Sequence, residues 1–197
     1  MIIYDISKSI ITTPPYEGDP ETETEFMSRT EDGDAYNLSR FSMSSHTATH
    51  IDAPYHFDGE GRKIGDIRLA DFYGKCSVVS TDRILTGEDM ERILPRCKKR
   101  LLIHGKGNGY IEASAAQVIA DSDLIMIGTD SESIAAPFDS FKVHRILAVN
   151  NKLILENLNL KDVPDGNDYT LSAFPIRLDT LEAAPCRAIL FEQEKGF

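Results

Sequence analysis

The sequence predicts an α/β fold built on a mixed sheet, and three observations carry that expectation. Through the middle of the chain, short apolar runs alternate with amphipathic helical segments, the pattern of parallel strands joined by helical crossovers. Both ends carry strand-like segments with no helices between them, so the sheet is expected to be mixed rather than doubly wound. The 197 residues are 41% hydrophobic and 27% charged, a composition that can bury a substantial core. The most economical organisation is one domain over residues 1–197.

The elements follow in order. Ile2–Ile6 reads as a first strand. A loop bearing Pro and Gly runs from Thr12 to Pro20, and a polar, acidic stretch continues to Asp34. So long an irregular segment in a compact domain points to mobility or function. Tyr36–Ser45, rich in aromatic and hydroxyl residues, reads as an extended strand. Ile67–Phe72 reads as a short helix and Cys76–Ser80 as a buried strand. Thr86-Gly-Glu-Asp89 has the form of a helix start, with Met90, Ile93 and Leu94 as its apolar stripe. Leu101–Ile103 is then a strand, Ala113–Ala120 a helix and Leu124–Ile127 another strand. Asp139 is a candidate cap for a helix through Val143, Ile146 and Leu147. Leu153–Leu155 follows as a strand ending at Glu156, and the last strands lie at Tyr169–Phe174 and Ala188–Phe191.

Charge and composition exclude several classes of function. With Lys+Arg 21 against Asp+Glu 32, the net charge of −11 repels nucleic acid and anionic membrane, so neither is an expected partner. Lys98-Lys99-Arg100 is the one basic run and reads as a solvated helix end. No apolar stretch approaches the roughly 18 residues of a membrane span, and the N-terminus lacks a basic signal-type region, so a cytoplasmic protein is expected. Cys76, Cys97 and Cys186 are odd in number and widely spaced, which suits reduced, buried thiols.

The chemistry concentrates in His46-Thr-Ala-Thr-His50-Ile-Asp52-Ala-Pro-Tyr-His56. Imidazole with carboxylate is the ligand combination that zinc favours, and the same set suits manganese or iron. A straight strand at about 3.3 Å per residue would spread His46 and His56 over roughly 33 Å, too wide for one site. A helix would stack His46 on His50, but Pro54 resists a helix interior. The segment is therefore expected to bend near Asp52-Ala-Pro54 and fold extended backbone into a ligand cluster. Other candidates are weaker. His104 follows a strand and suits a supporting or core role better than a ligand. Gly105-Lys-Gly-Asn-Gly109 lacks both phosphate-binding glycine patterns and reads as a flexible turn near the pocket. Asp130-Ser131-Glu132-Ser133 lines the site mouth, or Asp130 simply caps local backbone amides, with the structural role slightly favoured. No G-x-S-x-G elbow is present, which argues against a serine hydrolase.

HTATHIDAPYH resembles the HxGTHxDxPxH signature of the metal-dependent cyclase/hydrolase family, whose members include bacterial kynurenine formamidases and isatin hydrolases. The resemblance continues in order along most of the chain. Ile127-Gly-Thr-Asp130-Ser is similar to a strand-end segment of the family. His144, with Glu156 twelve residues later in Leu153-Ile-Leu-Glu156, is similar to its second ligand pair. Tyr169–Pro175 and Pro185–Leu190 are similar to its C-terminal strands, and Pro15-Tyr-Glu-Gly-Asp19 resembles its P-x-W-x-G-D substrate loop. Two positions depart from the pattern. Ala48 replaces the signature glycine, which matters only if its φ is positive. Tyr16 replaces the tryptophan of kynurenine formamidases, which leaves the substrate open.

The resemblance implies a swivelling β/β/α-type domain with a mixed sheet. It also implies a two-metal hydrolase, most simply with two Zn²⁺ per chain and with Mn²⁺ as the alternative. His46 and His50 would bind one ion, His144 the second, and Asp52 and Glu156 would bridge them. His56 would act as proton shuttle, although a further ligand role stays open for it. Tyr16 would contact substrate. The expected reaction is cleavage of a C–N bond in an aryl formamide or cyclic amide; a lactone or ester hydrolase, or a non-catalytic metal-binding protein, are the alternatives. A small-molecule substrate and a homodimer or larger homo-oligomer complete the expectation.

Overall fold

The structure is a computed structural model describing residues 1–193. The last four residues of the expected 1–197 domain lie outside the described residues. The chain opens with β1 (Ile2–Asp5), then β2 (Glu23–Ser28), β3 (Leu38–Ser42) and the short β4 (His50–Asp52). The alternating part runs β5 (Tyr73–Ser80), α1 (Gly87–Ile93), β6 (Arg100–His104), α2 (Ala113–Ala120), β7 (Met126–Thr129), α3 (Ser140–Val149) and β8 (Leu153–Glu156). It closes with β9 (Gly166–Ser172), β10 (Ala183–Pro185) and β11 (Ile189–Glu192).

Nine of these strands form one sheet in the order β1-β11-β9-β5-β6-β7-β8-β4-β10, while β2 and β3 pair as a separate ribbon. The run β5 to β8 is parallel, because each strand reaches its neighbour through a helix. The flanking strands are antiparallel. The expected mixed sheet is thus observed.

Side-chain alternation on the central strands divides the core in two. Leu101 and Ile103 of β6 pack with Met90, Ala116, Ile119 and Leu147 beneath the helices. Leu102, between them, faces the other way and joins Ile51, Val78, Leu171 and Leu190. Strands from both ends of the sheet contribute to this second cluster, so the sheet curls around it. Each fully buried Leu or Ile contributes about 1.5–3 kcal/mol. Ile51 matters most for function. Its side chain is fully buried, which obliges His50 and Asp52 to share the opposite face of β4.

Several segments differ from expectation. The polar stretch before Asp34 contains β2, which pairs with β3. Its alternation was hidden because both faces are exposed, with Phe26, Met27, Leu38 and Phe41 all facing outward. The segment expected as a helix at Ile67–Phe72 is a single 3-10 turn, Leu69–Asp71, leading into β5. The strand expected at Leu124–Ile127 is displaced to Met126–Thr129, and β10 is too short for a sequence pattern. Arg100 is not part of a solvated helix end. It is buried at the start of β6, and its guanidinium donates to the carbonyls of Asp71 and Ala70. Thr86 and Asp89 do form the reciprocal cap of α1. Asp139 instead accepts from the Ala113 amide and caps α2. Of the cysteines, Cys76 is buried, whereas Cys97 and Cys186 are half-buried, and all three are free thiols. Among the described residues, no helix is long and apolar enough to cross a membrane.

Candidate metal centre

The bend expected near Pro54 is present. β4 stops at Asp52, and Pro54–His56 forms a 3-10 turn with proline in its first turn, where its missing N–H is harmless. The His56 amide donates to the Ala53 carbonyl at 3.0 Å, which turns the His56 side chain back over the strand. Upstream, Ala48 has φ +56, the left-handed region. That conformation costs an L-residue about 1–2 kcal/mol, so the alanine is strained at the position where the signature has glycine. Next to it, the Thr49 hydroxyl donates to the Asn157 carbonyl at 2.6 Å and accepts the Lys8 amide at 2.8 Å. This staple locks the turn to the chain just beyond β8.

Strand register then brings the donors together. His50 sits opposite Glu156 in the β4–β8 pair. Asp52 Oδ1 lies 3.0 Å from His46 Nδ1 and 3.3 Å from His50 Nε2. Glu156 Oε1 lies 3.3 Å from His144 Nε2, on α3, and Glu156 Oε2 lies 3.5 Å from His50 Nε2. The Ile134 amide donates to Glu156 Oε1 at 2.7 Å and fixes that carboxylate. Two groups result, His46–His50–Asp52 and Asp52–His144–Glu156, each with ligand atoms within 4.8 Å of one another. Asp52 belongs to both.

The tautomers show what these atoms are for. His50 Nδ1 is 2.9 Å from the Ala48 carbonyl, and His144 Nδ1 is 2.8 Å from the Ser140 carbonyl. In each neutral ring the single N–H is committed to that carbonyl, so Nε2 presents a lone pair to the carboxylates. His50 Nε2 and both Asp52 oxygens are buried without a hydrogen-bond partner among the described residues. Buried polar atoms left so are costly. A divalent cation between lone pairs and carboxylates removes that cost, so the donor set fits a metal of the zinc or manganese type.

Without metal, protons do the same work less well. Burial pushes the Asp52 carboxyl up, but His46 and His50 outweigh it and hold it well below the usual carboxylate range. Burial opposes charge on His50 as well, yet Asp52 and Glu156 push its pKa up to about 10. Metal uptake must therefore displace protons from the imidazoles. His56 behaves differently. Burial lowers its pKa, the His46 and His144 rings lower it further, and it is a neutral base at pH 7. Its ring centroid is 4.3 Å from that of His46, and Phe57 stacks on His144 at 4.7 Å.

These groups open into a pocket of about 250 Å³, with Tyr16, Asp19, Phe57, Glu132 and Ser133 completing its wall. Tyr16 stands at the mouth and is 42% exposed. All seven site positions expected from the sequence thus line the pocket or, for Asp52, lie buried between its ligands. His104 and Asp130 do not. His104 Nε2 is 3.7 Å from Asp130 Oδ2, and Asp130 Oδ1 accepts the Gly105 amide. The glycine-rich turn borders a separate recess with Lys8, and its Gly109 amide donates to the Ser131 hydroxyl at 2.6 Å. Glu132 and Ser133 line the pocket, as one reading of the Asp130–Ser133 segment had it, whereas Phe57 and Glu182 escaped the sequence reading. Phe57 was visible as an apolar residue beside His56, but nothing local marks Glu182.

Residues 4–136 match the family model described as "Putative cyclase". A structure of a "predicted metal-dependent hydrolase" from Bacillus stearothermophilus is 27% identical, with 98% of each chain covered and a TM-score of 0.82. A "potential metal-dependent hydrolase with cyclase activity" is 29% identical over 98% of this chain and 99% of that one, also at 0.82. Isatin hydrolase A from Labrenzia aggregata is 20% identical over 98% and 94% of the two chains, at 0.83, and shares the fold.

Asp52 is the position where metal content is expected to be most sensitive. Asp52→Asn keeps the size but removes the shared charge, so it should deplete both groups of metal. His144→Ala should deplete only the second. Elemental analysis of the purified variants checks this, and an Asp52→Asn protein with wild-type metal content would contradict the shared role.

Proposed function

The chain belongs to the cyclase family, and from that premise we propose that it is a metal-dependent hydrolase cleaving the C–N bond of a small aryl formamide or cyclic amide. The observation that carries the reading is a buried aspartate shared by two histidine–carboxylate groups, with a neutral histidine beside them. The same arrangement favours two divalent ions per chain, zinc before manganese, since the donors are mainly imidazoles. When bound, such ions supply Lewis acidity, lowering the pKa of water from about 15.7 towards 7 and polarising a carbonyl.

The protein's own residues do the rest. Ala48, Ser140 and Ile134 hold His50, His144 and Glu156 through backbone hydrogen bonds, so the pocket is organised before substrate arrives. His56 takes a proton from the attacking water and returns it to the leaving nitrogen, which departs as a neutral amine while the acyl carbon becomes a carboxylic acid. A pocket of about 250 Å³ admits a one- or two-ring molecule, given that a cavity of about 150 Å³ accepts benzene. Phe57 and Tyr16 offer aromatic faces to that ring. A metal-binding protein without turnover has no use for a neutral proton acceptor beside its ligands, and His56 favours the enzyme.

Assembly as a homodimer or larger belongs to the same proposal. A two-stranded ribbon is marginal alone in water, and the apolar residues on β2 and β3 are exposed. A second copy covering them would stabilise the ribbon.

Two measurements follow. His56→Ala is expected to lower kcat by about 10²–10⁴-fold with metal content unchanged, on a panel of aryl formamides, cyclic amides and lactones. Because the folded pKa of His56 is lowered from 6.5, the wild-type rate should lose its base on the acid side of pH 6.5, and that limb should vanish in the variant. Metal and activity falling together would make His56 a ligand instead. Sedimentation equilibrium should give at least a dimer, and Phe26→Glu with Phe41→Glu should shift it towards monomer; a monomeric wild type would contradict the assembly.

A further inference from the structure

His46 differs from the other two candidate ligand histidines in what stands behind it. His50 and His144 each direct Nδ1 at a backbone carbonyl. His46 lies between two carboxylates, with Nδ1 3.0 Å from Asp52 Oδ1 and Nε2 3.3 Å from Glu182 Oε1. We propose that Glu182 is a positioning residue: it holds His46 in the Nε2–H tautomer, so that His46 binds metal through Nδ1 while His50 and His144 bind through Nε2. The inference rests on the metal-dependent reading above.

Glu182 is built into place rather than left on the surface. It immediately precedes β10, whose first residue, Ala183, pairs with Asp52. The Ala53 amide donates to the Glu182 carbonyl at 2.8 Å. The sheet pair that places Asp52 therefore also places the Glu182 backbone. The Ser45 hydroxyl, one residue before His46, donates to Glu182 Oε1 at 2.5 Å. That same oxygen lies 3.3 Å from His46 Nε2, so one carboxylate oxygen stands beside both the histidine and its neighbour.

A neutral imidazole has one N–H to give. If that hydrogen sat on Nδ1, it would occupy an Asp52 oxygen needed by metal, and the Nε2 lone pair would face the Glu182 charge. With the hydrogen on Nε2, Glu182 receives a donor and Nδ1 offers its lone pair beside Asp52. The second arrangement satisfies both carboxylates once a cation is present. An anionic partner also makes the imidazole a more basic ligand than a carbonyl would, and loss of such partners typically weakens metal binding about 10–100-fold.

The test combines zinc affinity with the ring-nitrogen spectrum. Zinc is titrated against a competing chelator for wild type, Glu182→Ala, Glu182→Gln and Ser45→Ala, and long-range ¹H–¹⁵N spectra are recorded on the zinc-loaded proteins. Glu182→Ala is expected to weaken zinc by about 10–100-fold and to mix the His46 tautomers. Glu182→Gln, whose amide oxygen still accepts Nε2–H, should keep the tautomer and lose less affinity, and Ser45→Ala should lose least. In wild type, His46 should show a metal-shifted Nδ1 and a protonated Nε2. A metal-shifted His46 Nε2 in wild type overturns the inference whether or not the alanine variant folds. Unchanged affinity and tautomer in Glu182→Ala overturn it too. A wild type that binds no zinc would instead bring down the metal reading, and the inference with it.

Discussion

Asp52 and Glu156 bury two carboxylates in one small space, and the surrounding structure serves to make that tolerable. Two unit charges about 4 Å apart repel by about 4 kcal/mol at an effective dielectric of 20. Burial adds a cost of its own for each ion. In Glu156, burial and the Asp52 charge both push the pKa up, and His144 and His50 bring it down again. Such a pair survives in a fold only where cations meet it. Three imidazoles supply part of that charge, and the unpartnered oxygens of Asp52 mark where more positive charge belongs.

The fold can be read outward from this constraint. Ile51 anchors β4 in the core and fixes which face His50 and Asp52 share. The β4–β8 register sets His50 against Glu156. α3 lays His144 over the same point, where Ser140 orients it one turn earlier. The strain at Ala48 belongs to the same logic, since its carbonyl commits His50 Nδ1 and leaves Nε2 for the site. Rigid strands therefore carry most of the donors, while the exposed loop around Tyr16 borders the pocket.

How much of this was legible in the sequence depended on how local each signal was. The His46–His56 string betrayed the site because ligand chemistry and a proline bend fall within eleven residues. The α/β alternation was legible because three helical crossovers repeat one pattern. His144 and Glu156 needed the family resemblance, since one histidine on a helix and one strand-end acid look ordinary. β2 was missed because a ribbon exposed on both faces has no hydrophobic alternation. Glu182 was beyond reach, because only the pairing of β10 with β4 brings it to His46.

The central claim is that Asp52 lies between two cations, and anomalous scattering from zinc-soaked crystals, measured on either side of the zinc edge, tests it most directly. The account predicts two peaks flanking the Asp52 carboxylate, one beside His46 and His50 and the other beside His144 and Glu156. A single peak beside His46 and His50, persisting at saturating zinc with Glu156 still turned to the Ile134 amide, would contradict it.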